Sequence, residues 1–96
     1  MQFEIKTQQG TNFIVSDDSV WVWIELEREL GLTMKEAAEK MANGSLDVIT
    51  CMLFKLAVKG GHTELKTQRA WVEHEFDSFD VVDDADPKET EASNIS

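Results

Sequence analysis

The segment from Leu46 to Val58 restricts the fold of this chain more than any other part of the sequence. Ser45, a residue type that favours helix N-caps, precedes it, and two consecutive glycines follow it. These flanks predict a helix over about residues 46–59, with apolar side chains at nearly every position. A helix that is apolar nearly all round must be surrounded by other elements or must bind something. We therefore expect this helix at the centre of the fold.

Three further helices are predicted from capping signals and from the helical spacing of apolar residues. Thr33 and Glu36 form a capping box, in which each side chain accepts a hydrogen bond from the other residue's backbone N–H. Gly31 and Asn43-Gly44 are typical residues at which helices end. In the first helix, Val20, Trp23, Ile24 and Leu30 follow helical spacing as the expected core side, and Trp21 and Leu26 widen that stripe. The predicted ranges are about 19–30, 34–43 and 64–76, the last after an N-cap at Thr63.

Two short runs near the N-terminus predict a β-hairpin. Residues 2–7 alternate apolar and polar, which places Phe3 and Ile5 on one face, and residues 12–16 are rich in β-branched and aromatic side chains. A glycine lies between the two runs, where a hairpin turn needs one. A lone hairpin is only marginally stable in water, so we expect this one to lie against the helices.

Acidic residues are concentrated at the C-terminal end of the 96-residue chain. Residues 73–96 contain nine acids and one base, a net charge of −8, whereas residues 1–72 contain ten acids and eight bases, a net charge of −2.

Together, the predicted elements give a mainly-α fold: four short helices around the central apolar helix at about 46–59, with an N-terminal hairpin. Residues 1–82 are expected to form one domain, and residues 83–96 a disordered acidic tail.

Composition and spacing exclude several functional classes. The net charge of −10 argues against nucleic-acid binding, because phosphate backbones are recognised by basic surfaces. No apolar run is long enough to span a membrane, and no basic region precedes an apolar run as in a signal peptide. His62 and His74 lack the companions of a zinc motif, and Cys51 lies in the apolar helix without a base nearby in sequence. We expect neither catalysis nor a cofactor nor a metal.

Gly44-Ser45-Leu46-Asp47 resembles the Asp-Ser-Leu segment of acyl carrier proteins, which are also small, acidic and helical. In such a protein Ser45 would carry a phosphopantetheine arm. Gly44 stands where that segment has its acid, and the N-terminal hairpin is a further departure. We interpret Ser45 as an N-cap and retain a carrier protein as an alternative.

The tryptophans point to protein binding. Trp21 and Trp23 lie about 200° apart around a helix, so both cannot face the same core. A chain of this length can bury only a small core, so one of Trp21, Trp23 and Trp71 is expected to be partly exposed. Exposed tryptophan is typical of interface anchors. The alternative for each tryptophan is a structural position at the boundary between the core and the surface, with no role in binding. The candidate partner-binding residues are Trp21, Trp23, Phe54, Val58 and Trp71.

The order of these elements resembles the tail assembly chaperones of long-tailed bacteriophages. The resemblance covers about residues 2–82. It rests on the hairpin, the glutamate-rich segment Trp21–Thr33, the short second helix from Met34, and the apolar helix after Gly44, followed by a final helix and an acidic C-terminus.

The resemblance implies a binding protein that keeps the long, helical tape-measure protein soluble in the cytoplasm of the infected host. Many members also have a longer, frameshifted form that recruits tail-tube subunits; this chain would be the short form. Self-association along the tape-measure protein and absence from the finished virion are further implications. A small acidic regulator remains an alternative, although a DNA mimic needs its acids spread over a folded surface.

Overall fold

A computed structural model of the chain describes residues 1–82, and the predicted disordered tail at 83–96 lies outside these residues. About 50% of the described residues are helical and 22% lie in strands. The predicted mainly-α class is therefore wrong, because a sizeable antiparallel sheet accompanies the four helices. In chain order the elements are β1 (Gln2–Thr7), β2 (Asn12–Ser16), α1 (Val20–Leu30), α2 (Met34–Ala42), α3 (Leu46–Lys59), α4 (Gln68–His74) and β3 (Phe76–Val82).

The sheet has three strands in the order β2-β1-β3, and both pairings are antiparallel. The hairpin strands have the bounds that the alternation predicts. The third strand comes from the other end of the described chain, so that Phe3 lies between Val15 on β2 and Val81 on β3. This long-range pairing makes β1 the central strand.

A β-bulge explains why the sequence pattern did not reveal β3. Phe76 and Phe79 are three residues apart, a spacing typical of a helix rather than a strand. The register shifts between Lys6 and Thr7 of β1, which leaves Asp77 as the extra residue on β3. Both phenylalanines therefore pack against the core, with ring centroids 6.4 Å apart.

The last helix is shorter than predicted at both ends. It begins at Gln68 because the Thr67 hydroxyl accepts a hydrogen bond from the backbone N–H of Ala70 at 3.1 Å. The Thr63 hydroxyl instead accepts from the backbone N–H of Leu65 at 3.1 Å and forms a local turn. The prediction of a helix over 64–76 was therefore wrong in its bounds.

The other helix ends follow the capping chemistry of the sequence. Both bonds of the Thr33–Glu36 capping box are present, at 2.9 and 3.1 Å. Gly31 ends α1 with a φ of 69°, a left-handed conformation that glycine adopts without strain. The bounds of α3, Leu46–Lys59, are those predicted.

Helix α3 is central, since it contacts α1, α2, α4 and β2. Its buried side chains form the core together with the helix-facing side of the sheet and parts of α1 and α4. The largest fully buried side chains are Trp71, Ile5, Leu26, Met52, Leu53 and Cys51.

The hairpin turn caps the C-terminus of α4. The side-chain amide of Gln8 lies 3.4, 3.1 and 3.0 Å from the backbone oxygens of Val72, Glu73 and Phe76, and it donates to them. The side-chain amide of Gln9 donates to the His74 oxygen at 3.0 Å. These neutral donors satisfy carbonyls that would otherwise lack partners at the end of the helix.

Within residues 1–82, no single helix is long and apolar enough to cross a membrane. Helices α2 and α3 reach that length and composition only when taken together, and they meet at a bend of 116°.

Candidate protein-binding surface

Trp21 is a large apolar side chain exposed on the helical surface, with 53% of its area accessible. It lies in the first turn of α1, and the guanidinium carbon of Arg28 is 5.4 Å from its ring centroid. An arginine at this distance is attracted to the face of an indole ring and favours this position of the side chain. The tryptophan therefore has a favoured position and is still accessible to a partner.

A shallow depression of about 230 Å³ lies between α1, α3 and the loop before α4. Phe54 and Leu65, both partly buried, supply apolar lining, and Val58 borders it with 46% of its area exposed. The charged residues around it are Glu25, Lys55, Glu64 and Lys66. Apolar lining with a mixed charged rim suits the apolar stripe of an amphipathic helix.

Helix geometry connects Trp21 with this depression. Trp21 and Glu25 are four residues apart on α1, so they lie on one face, and Glu25 lines the depression. Ile24, 36% exposed, neighbours the tryptophan on the same helix. We call the surface formed by Trp21, Ile24, Phe54 and Val58 the tryptophan face.

Two of the five candidate residues lie elsewhere. Trp71 is 1% exposed and sits in the core, with its ring centroid 5.9 Å from that of Phe54 and 5.0 Å from that of Phe76. Trp23 is partly buried, and its indole N–H donates to the Asp17 backbone oxygen at 2.8 Å. Trp71 thus supports the tryptophan face from beneath through Phe54, whereas Trp23 fixes the chain entering α1.

The predicted apolar stripe of α1 was only partly correct, because Trp23, Leu26 and Leu30 pack in or against the core but the other members do not. Val22 and Leu26 are its buried residues, whereas Val20 is 71% exposed and Ile24 lies on the surface. Both pairs have the i, i+4 spacing of an apolar stripe, so periodicity alone could not choose between them. Helix α1 carries more apolar residues than one buried face can hold. This excess was the sequence signal that one of the two stripes had to remain exposed.

Beside the depression, α1 and α3 are joined by a polar cluster. The Glu29 carboxylate accepts from Lys55 Nζ at 2.9 Å and from Cys51 Sγ at 3.4 Å. The hydrogen bond from Lys55 holds the pKa of Glu29 below its usual value. Burial lowers the pKa of Lys55, but the Glu29 carboxylate outweighs it and raises that pKa overall. The cluster fixes the spacing of the two helices that carry the tryptophan face.

Cys51 is expected to resist thiol reagents in the folded protein. It is fully buried, and burial together with the Glu29 carboxylate raises its pKa to about 12. At pH 8 a thiol of that pKa is ionised in only about one molecule in 10⁴, and only the thiolate reacts. Modification by Ellman's reagent should therefore be at least about 100-fold slower than in the urea-unfolded chain. Equal rates in the two states would contradict the buried position, and Glu29→Gln, which keeps the burial, serves as the control.

The described residues offer no other site with defined chemistry. Between residues 1 and 82, no group of three or more His, Cys, Asp or Glu side chains could hold a metal ion. Ser45 occupies the N-cap position of α3, and its side chain makes no capping hydrogen bond among the described residues. No protein-family model, curated protein or solved structure matches this chain.

Proposed function

We propose that this protein is a tail assembly chaperone of a long-tailed bacteriophage, and that it binds the tape-measure protein through the tryptophan face. One observation carries the proposal: Trp21 is 53% exposed beside a depression whose apolar lining comes from Phe54 and Val58. Exposed apolar surface centred on a tryptophan is typical of a protein interface. The sequence resemblance supplies the identity of the partner.

The chemistry of the proposed partner matches this surface. A tape-measure protein is a long helical chain whose apolar stripes are exposed until the tail tube forms around it. Such a stripe would lay its apolar side chains against Trp21 and into the depression, as in helix-in-groove recognition. The exposed Glu64 and Lys66 at the rim would meet the polar flanks of that helix. Binding would cover the stripe and prevent aggregation.

The acidity of the chain contributes to the same task. Residues 73–96 carry nine acids and one base, so a client coated with this protein would gain net negative charge. Charge of one sign opposes association between coated clients. Recruitment of tail-tube subunits and self-association along the client belong to the proposal, which places this work in the host cytoplasm before the tail is complete.

The decisive experiment is co-expression with the long helical protein encoded downstream. Wild-type chain is expected to keep that protein soluble and to co-elute with it. The double variant Trp21→Ala/Val58→Asp should lose at least about 90% of the co-eluting client, because it removes the anchor and charges the depression. Both side chains are largely exposed, so the variant should retain its fold.

Leu46→Ala is the matched control. Leu46 is 67% exposed on the same helix as Val58 but about 18 Å away along its axis. Retention of binding by this variant and its loss in the double variant would locate the interface. An insoluble client in the presence of folded wild-type protein would refute the chaperone proposal. Purified virions should also lack the chain by mass spectrometry.

A further inference from the structure

The sheet has an open edge at β3 whose hydrogen-bonding groups can be assigned. Within residues 1–82, β3 pairs with β1 on one side and with no strand on the other. The register shift is confined to the start of the pairing, so Ser78–Val82 are regular. A regular open edge is a template onto which an extended segment can add.

The register determines which backbone groups are available. Thr7 N donates to Thr11 O at 2.9 Å, and Asp17 N donates to Met1 O at 3.1 Å, so odd-numbered residues of β1 bond towards β2. Even-numbered residues of β1 must therefore bond towards β3, where they face Ser78, Asp80 and Val82. It follows that the N–H and C=O groups of Phe79 and Val81 point to the open edge.

The side chains along this edge differ between the two faces of the sheet. Val81 is opposite Phe3 and shares its helix-facing side, yet Val81 is 57% exposed whereas Phe3 is only 7% exposed. On this side the core partly covers Phe79, whereas Val81 stays uncovered. On the other face, the exposed Asp80 carboxylate lies 3.3 Å from Lys6 Nζ.

The charged residues of β3 indicate which kind of strand can pair with its open edge. In an antiparallel pair of two β3 strands joined through these outward groups, Phe79 of each copy would face Val81 of the other, and the two Asp80 carboxylates would lie directly opposite each other. This repulsion disfavours a second copy. By contrast, β2, the other edge strand, has no charged residue that would select a partner.

We propose that the open edge of β3 binds an extended segment of a partner protein in which apolar and basic residues alternate. The backbone groups of Phe79 and Val81 would hold the segment, its apolar side chains would cover Val81, and its basic side chains would lie beside Asp80. This site is separate from the tryptophan face and does not depend on the function proposed above.

The test uses the full chain and a synthetic nonapeptide of alternating lysine and valine, followed by NMR amide exchange. The peptide should slow exchange at Phe79 and Val81 by about tenfold or more, and should change Ser78 and Asp80 little. A peptide with glutamate in place of lysine should leave all four amides unchanged.

Val81→Pro removes one outward N–H and leaves the pairing with β1 in place, since proline is tolerated at such edge positions. It should weaken peptide binding about tenfold, whereas Val81→Thr, which keeps the N–H, should bind like wild type. Protection at Ile14 instead of Val81, or protection that grows with protein concentration without peptide, would overturn the proposal. Equal binding by a folded Val81→Pro variant would also overturn it; if that variant unfolds, the wild-type exchange pattern decides.

Discussion

Trp71→Ala is expected to lower the free energy of unfolding by about 3–5 kcal/mol, the range for truncating a buried aromatic side chain. Trp71 is 1% exposed and contacts Phe54 and Phe76, so its removal leaves a cavity where α3, α4 and β3 meet. A domain of this size has only about 5–10 kcal/mol of stability in total. The variant should therefore lose about half of that stability and unfold at a clearly lower urea concentration than the wild type, as measured by urea titration with circular dichroism.

Trp21→Ala provides the control for this prediction, because it deletes the same side chain from the surface. With 53% of its area exposed and one contact to Arg28, Trp21 should contribute less than about 1 kcal/mol to stability. The two variants should thus separate stability from binding. Similar unfolding midpoints for both would show that Trp71 is not in the core.

Gln8→Glu is expected to destabilise the protein by about 2 kcal/mol at pH 7. The substitution replaces an amide that donates to the carbonyls of Val72, Glu73 and Phe76 with a carboxylate that can only accept. It also puts negative charge at the negative end of the α4 dipole. Urea unfolding at pH 7 measures the loss.

The matched variant is Gln9→Glu, since Gln9 donates to a single carbonyl, that of His74. It should lose about half as much stability as Gln8→Glu. If both variants were as stable as the wild type, the hairpin turn would not be the cap of α4, and the end of that helix would have to be satisfied by water.

Local signals in the sequence were sufficient for the elements that depend on local chemistry. Capping residues gave the start of α2 and the end of α1, and alternation gave the bounds of the hairpin. The central position of α3 followed from its apolar surface, because so many apolar side chains can be buried only if other elements surround the helix.

The third strand could not be predicted in this way, because its partner is about 70 residues away and its bulge hides the alternation. The candidate site was limited by a different ambiguity. Trp21 and Trp71 are the same residue type in helical segments, and the packing of α3 and β3 against α4 places Trp71 inside. On α1, two apolar stripes with the same spacing likewise left it undecided whether Ile24 would be buried or exposed.

The central position of β1 has a consequence for synthesis. Strand β1 cannot complete its pairing until β3 has been synthesised, since Phe3 pairs with Val81. Contacts of such large sequence separation slow folding, because the ends of the chain have to be brought together before the pairing stabilises them. A ribosome-bound chain that ends before Phe76 would expose the unpaired side of β1. The three-stranded sheet can therefore be completed only after residue 82 has left the ribosome, and β1 keeps one unpaired side until then.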